Sequence, residues 1–375
     1  MNPTLRFATS DPIDWNLVSI KDLVYPIKSG QSKKNDNGDY VLYGATGIIG
    51  HTNDVYNEDS LILAARVGSI GNVSLRHGKF GVSDNVLVVK PNEKSDIGYV
   101  YHLLANKVNW KSLSNGTSQL VVSAKKVEDY KVYVANLEEQ QKIAAFFTML
   151  DRKIELETKK VSKYKQAKKA IFQKILSDAL FENCPLKMEK ISSVANAITG
   201  YPFDSSKFQE HGIRLVKGAN VKRGSLDFSP EITSFWANCD NLEKFVLQKG
   251  DLLIQMDGAQ VGKSFGFVEQ DLLPALLVQR VTRLRCNESV ANVLYQYLDH
   301  GYFDSYIKKR MTNTAVPHIS LSDIKDFEFM IPEREESLKK MSCLFRLLES
   351  KIKIIECRRK VLIRQKQAFM QQMLV

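Results

Sequence analysis

The side chains best able to hold a metal or attack a substrate are six histidines and five cysteines, and their spacing suits neither task. His51, His77, His102, His211, His300 and His318 form no HxxxH pair and no His–Cys motif. Cys184, Cys239, Cys286, Cys343 and Cys357 are odd in number and never spaced as CxxC. That pattern fits reduced thiols better than a disulfide framework or a zinc site, so no metal is expected. A GxSxG elbow and a phosphate-binding P-loop are both missing. Gly44, Gly47 and Gly50 are followed by His51-Thr52-Asn53 rather than by Lys-Ser/Thr, and are expected as tight turns in a small sheet.

The remaining chemistry is hydrogen bonding. In each half of the sequence an apolar strand runs into a polar glycine loop, Arg66-Val-Gly-Ser-Ile-Gly-Asn72 and Gln255-Met-Asp-Gly-Ala-Gln-Val-Gly-Lys263. Polar stretches follow at Ser114–Gln119 and Lys308–Thr314. Arg, Lys, Asn and Gln can read base edges, while Ser, Thr and Lys suit phosphates. The candidate DNA contacts are Arg66, Ser69, Asn72, Arg76 and Gln119 in the first half. In the second half they are Lys217, Asn220, Gln260, Lys263 and Arg310.

What positions these loops is a duplicated chain. KKAIFQKIL at 168–176 is echoed by KQAFMQQML at 366–374, an offset of 198. The same offset pairs Phe147 with Phe345, Leu150 with Leu348 and Ile154 with Ile352. Upstream, Ser123, Val127, Asp129 and Tyr130 match Ser320, Ile324, Asp326 and Phe327 at offset 197. An ordered series of this kind marks an internal repeat.

From Glu138 to Leu176 there is neither Gly nor Pro, and apolar residues recur at alternating steps of four and three. The seam runs Ile143, Phe147, Leu150, Ile154, Glu157, Val161, Tyr164, Lys168, Ile171, Ile175. Its second copy runs Met341, Phe345, Leu348, Ile352, Ile355, Arg359, Leu362, Lys366, Phe369, Met373. Helices about 58 Å long with matched seams are expected to pack on each other. An antiparallel arrangement about an approximate twofold would set Glu157 opposite Arg359 and Val161 opposite Ile355; otherwise the two charged side chains snorkel.

The expected fold class is α+β: two globular domains separated by two long antiparallel coiled-coil helices, a pseudo-twofold internal repeat. The expected boundaries are 1–136 and 181–332 for the variable domains, and 137–180 and 333–375 for the helical segments. In the first block, Tyr40–Tyr43, Ser60–Ala64 and Asn85–Val89 read as strands. The start of the sequence shows no signal peptide and no run approaches the apolar length of a membrane span, so a cytoplasmic protein is expected.

Fifty-three Lys+Arg against 42 Asp+Glu leave a net charge of +11, which fits a polyanionic partner or an acidic protein surface. Residues 138–176 hold ten basic against five acidic side chains, and residues 333–375 hold eleven against five. The helical segments therefore carry the whole surplus. Lys159, Lys160, Lys163 and Arg358 are the candidates for a face toward DNA phosphates or toward an acidic partner.

Over essentially its whole length the chain resembles the specificity subunit of type I restriction–modification systems. The most specific segments are Val132-Tyr-Val-Ala-Asn-Leu-Glu-Glu-Gln-Gln-Lys-Ile-Ala144 with Leu150-Asp-Arg-Lys-Ile154, and Phe329-Met-Ile-Pro-Glu-Arg-Glu-Glu336 with Leu348-Glu-Ser-Lys-Ile352. The family's usual pattern is a strand ending in Pro, then Leu-x-Glu-Gln, then Ile, then Asp-x-x-Ile. Here Ala135 replaces that Pro in the first copy, and the second copy lacks the Glu-Gln pair. The resemblance implies that each variable block is a target-recognition domain reading half of a bipartite sequence in double-stranded DNA, with the helices as spacer. It implies two methyltransferase subunits as partners, restriction/translocase subunits beyond them, and S-adenosylmethionine on the methyltransferase rather than on this chain. The chain itself would be non-catalytic. The competing readings are a coiled-coil scaffold without sequence-specific binding, or the recognition part of a fused type II enzyme.

Overall fold

Two helices dominate the computed structural model, which describes residues 2–7, 14–57, 59–115, 120–177, 185–310 and 317–374. The first covers Leu137–Leu176, 40 residues, and the second Glu335–Met373, 39 residues. Neither contains Gly or Pro, the residues that most disfavour a helix interior. The first is capped by Asn136, whose Oδ1 accepts the Glu139 N–H at 2.9 Å. Every seam position named above is buried or half-buried. Among the described residues no helix is long and apolar enough to cross a membrane.

The chain divides into two compact units, residues 1–159 with 356–375, and residues 160–355. Each combines one variable block with a stretch of both long helices. In the first unit Phe146 meets Phe369 edge-on at 5.2 Å, and further along Asp151 pairs with Lys366. Numbers rise on one helix as they fall on the other, so the two stretches are antiparallel. In the second unit Lys168 pairs with Glu349, and Phe172 meets Phe345 at 5.7 Å, again antiparallel. Lys168 corresponds to Lys366 in the repeat and Asp151 to Glu349. Each unit thus carries the same ion pair, with the roles of the two helices exchanged.

Glu157 and Arg359, expected to face each other, are both half-buried. The Arg359 Nε is buried without a hydrogen-bond partner among the described residues. Within each unit a complementary charge pair ties the helices together farther out, at Lys168 and at Lys366. Val161 and Ile355, 6% and 3% exposed, are both buried within the second unit.

The blocks repeat one topology. In the first unit a four-stranded sheet has the spatial order Lys28–Ser29, Val86–Val89, Ser60–Ala65, Val73–His77. In the second the order is Ala195–Thr199, Val281–Cys286, Leu252–Gln255, Phe265–Phe267. A three-stranded sheet accompanies each, with Tyr40–Gly44 parallel to Gly81–Val82 and Ile213–Val216 parallel to Ala275–Leu277. The matched serines of the repeat are N-caps: Ser123 accepts from the Lys126 N–H and Ser320 from the Asp323 N–H. Gly50, expected in a turn, instead lies inside the strand Gly47–Thr52, beside the register shift between Leu42 and Tyr43. The actual turn joins Gly44 to Gly47, because two-residue hairpin turns match the strand twist.

Where each block meets the helices sits one member of a repeated histidine pair, His102 and His300. His102 is 2% exposed and packs on Phe147 at 5.1 Å, and burial with the nearby Lys366 charge pushes its pKa down to about 3. Burial likewise lowers His300, against Phe172, to about 4. A histidine kept neutral when folded is protonated first in the unfolded chain. Its contribution is complete above about pH 6.5 and is lost as pH falls through the window down to the folded pKa, by at most about 1.4 kcal/mol per pH unit. In urea titrations between pH 6.5 and 4, His102→Gln should flatten this decline; an unchanged slope would show that other groups cause it.

Candidate nucleic-acid interface

Both glycine loops form as tight connections at the end of a buried strand. In the first unit the Ala65 N–H donates to the Asn72 carbonyl at 3.0 Å and Gly71 N–H to the Ala65 carbonyl at 3.1 Å. Gly68 and Gly71 have φ of +68° and +81°. At Gly71 a Cβ would stand 2.8 Å from the Trp110 side chain, so this glycine permits close packing as well as the turn. The loop's base is tied to a second segment, since the Val122 N–H donates to the Arg66 carbonyl at 2.9 Å. In the second unit the Ile319 N–H donates to the Met256 carbonyl at 3.1 Å, and Gly258 and Gly262 take φ of +90° and +72°.

The structure gathers several first-block candidates at one end of the sheet. Asn72 is exposed and donates from Nδ2 to the Ala45 carbonyl at 3.3 Å. Arg76 lies over the Tyr43 ring at 4.7 Å. With the Gly44–Gly47 turn, Asn72 and Arg76 line one small void of about 20 Å³. Ser69 is exposed on the loop. Arg66 and Arg76 are half-buried, and the Nε of each has no hydrogen-bond partner among the described residues. Gln119 lies outside the described residues, as do Cys184 and the 311–314 part of the second polar stretch.

The second-block candidates separate into two groups. Gln260 is exposed on its loop, where its carbonyl accepts the Lys263 and Ser264 N–H groups at 3.0 and 3.1 Å; Lys263 is half-buried. Asn220, by contrast, is fully buried: its Oδ1 accepts the Lys217 N–H and its Nδ2 donates to the Asp227 carbonyl, each at 2.9 Å. Lys217 is turned inward as well, donating to Ser234 Oγ at 2.8 Å beside the Phe208 ring, and burial lowers its pKa. Both spend these polar groups on the loop's own structure. Arg310 stacks on Tyr306 at 4.3 Å and donates to its hydroxyl.

Residue types alone passed over Tyr43, Asp257, Arg280 and His318. Tyr43 is the platform for Arg76. Asp257 pairs with Arg280 at 3.0 Å and with His318, joining segments that no local sequence period connects.

The Glu-Gln pair at the entry of the first helix docks that helix on its own block. Glu139, with no exposed side-chain surface, accepts from Arg6 Nε and Nη2 at 3.0 and 2.6 Å and from Trp15 Nε1 at 3.2 Å. Gln140 donates to the Ala135 carbonyl at 2.9 Å and accepts the Asp96 N–H at 3.1 Å.

Comparison with known proteins agrees with this duplicated architecture. A type I restriction enzyme specificity subunit of Methanocaldococcus jannaschii, MjaVIII, is 26% identical over 385 residues, covering 93% of this chain and 88% of that protein. The EcoAI specificity subunit of Escherichia coli is 26% identical over 152 residues, 39% of this chain and 26% of its own length. Among solved structures, the S subunit of a type I restriction–modification system from M. genitalium superposes with a TM-score of 0.76 at 16% identity, covering 100% of this chain and 99% of that one. That likeness shows the fold. The type I restriction modification DNA specificity domain matches residues 12–166 and again 185–365, and the chain belongs to that family, carrying its domain twice.

Proposed function

We propose that the chain is the DNA-reading subunit of a type I restriction–modification complex, in which each block reads one half of a bipartite duplex target. The observation that carries this reading is the twofold occurrence of the family domain, each copy with the same strand order and with a glycine loop after the corresponding strand. The long helices act as the spacer between half-sites and as the docking site for two methyltransferase subunits, with restriction/translocase subunits joining them. S-adenosylmethionine and the base to be methylated belong to the methyltransferase. This chain contributes recognition only, and acts in the cytoplasm.

A ruler has a length that can be changed. Inserting one heptad into both long helices, about 10 Å of rise, should lengthen the gap in the recognised sequence by about three base pairs. Methylation mapping in a host expressing this chain and its methylating partner reads both half-sites and the gap. An unchanged gap would remove the spacer role.

The basic surplus supplies a second measurement. Lys159, Lys160, Lys163 and Arg358 are exposed. Neutralising them should flatten the salt dependence of duplex binding, by up to about 0.9 in the logarithmic slope for each phosphate that a side chain no longer neutralises. A constant slope with weakened subunit assembly would assign the charge to the protein partner instead.

A further inference from the structure

In the second unit, the end of the strand Val281–Cys286 carries a residue in an unfavourable conformation. Arg280 has φ of +69°, the left-handed region that non-glycine residues seldom occupy. Hydrogen bonds on both sides impose it: the Gln279 N–H donates to the Tyr201 carbonyl at 2.8 Å, and the Met256 N–H to the Arg280 carbonyl at 2.9 Å. Asn85 takes the corresponding place in the first unit, where its carbonyl accepts the Arg66 N–H, and Asn85 has no such φ. Strain present in one copy and absent from the other points to a task particular to that copy.

The strained backbone delivers an exposed side chain to a fixed support. Arg280 is 67% exposed, yet its Nε lies 3.0 Å from Asp257 Oδ2, and Asp257 is only 17% exposed. The other carboxylate oxygen takes His318 Nδ1. Asp257 itself cannot drift. The Gly258 N–H donates to the Pro317 carbonyl at 3.0 Å, and Gln255 Nε2 donates to the Asp257 carbonyl at 2.8 Å. An arginine this exposed would otherwise sample many rotamers, at an entropic cost to any contact it makes. With Nε ion-paired to Asp257, its two terminal nitrogens have no partner among the described residues and leave a planar fork open.

We propose that Arg280, oriented by Asp257, reads a guanine through N7 and O6 in the half-site bound by the second unit. This rests on the specificity-subunit reading above and deepens it. A planar fork fits both a guanine edge and a phosphate. The carboxylate directly behind it favours the base: Asp257 partly offsets the guanidinium charge and weakens its attraction for a phosphate, while a neutral base edge needs only the two donors. Asp257 is the positioning residue, and Arg280 makes the contact.

The test uses the full chain with its methylating partner and selection from randomised duplexes at fixed salt. The unaltered protein is expected to select a guanine at one position of the second half-site. Arg280→Ala should lower the preference at that position about 10- to 100-fold, and leave the others sharp. Asp257→Asn should soften the same position and no other. A probe independent of folding is 7-deazaguanine at that position, which removes N7: the unaltered protein should lose affinity for it and Arg280→Ala should not discriminate. Tolerance of 7-deazaguanine by the unaltered protein, or a weakening spread evenly over all sequences, would overturn the proposal. Selection of no motif at all by the unaltered protein would remove the specificity reading and this proposal with it, a result distinct from either.

Discussion

Replacing Lys168 by alanine should destabilise the second unit by about 3 kcal/mol or more, because it leaves two carboxylates in a poorly solvated site without their cation. The Lys168 side chain is 4% exposed, and it bridges Asp299, 26% exposed, and Glu349, 23% exposed. Burial acts to raise the Asp299 pKa, and the Lys168 ammonium overrides it, holding the carboxyl below its usual value. Arg223, 3.8 Å from Asp299, offers partial compensation, which places the effect toward the lower end of the range for a broken buried pair. The equivalent change in the first unit is milder. Lys366 is 18% exposed and its partner Asp151 is 38% exposed, so Lys366→Ala should cost about 1 kcal/mol. Urea unfolding followed by hydrogen exchange in each unit measures both. Equal effects would mean that the two pairs, though matched by the repeat, are not separated by burial.

Glu139→Ala should have an effect of similar size, about 3–5 kcal/mol, confined to the first unit. The carboxylate is fully enclosed and accepts three hydrogen bonds, two from the Arg6 guanidinium and one from the Trp15 indole. Its hydrogen bond raises the Arg6 pKa, and the pairing holds residues 2–7 against the helix entry. Removing it takes the buried carboxylate from a guanidinium that is only 20% exposed and takes the Glu139 acceptor from a buried indole N–H. Glu139→Gln keeps the volume and one acceptor, and should destabilise less than the alanine. If glutamine and alanine cost the same, packing rather than charge pairing would be the cause. The second copy lacks this Glu-Gln pair; its helix starts at Glu335, and Glu335 and Glu336 are exposed and paired to Lys339 and Lys340. An equivalent destabilisation is therefore not expected from Glu335→Ala.

The long helices and the duplication could be read directly from the residues. Heptad spacing is a local signal, and the repeat offset brought the same positions together whether or not their contacts were known. The glycine loops were legible for a related reason, since a strand that ends in a tight turn needs residues able to take positive φ. Lys168 and Lys366 hold matched seam positions, but nothing about a lysine at a seam position says which carboxylate it will meet.

What the amino-acid order determined by itself was periodic and local: two matched amphipathic helices, two blocks of strands, and the loops that end them. Only the tertiary structure decided which polar side chains face outward. Asn220 has the residue type of a base contact, yet the fold closes around it, and Lys217 spends its amine on Ser234. Arg280, which no motif marks, is brought to Asp257, and so is His318 from 61 residues farther along the chain. A hydrogen-bonding side chain has no periodic signature, so its role is set by the partners that chain folding places beside it.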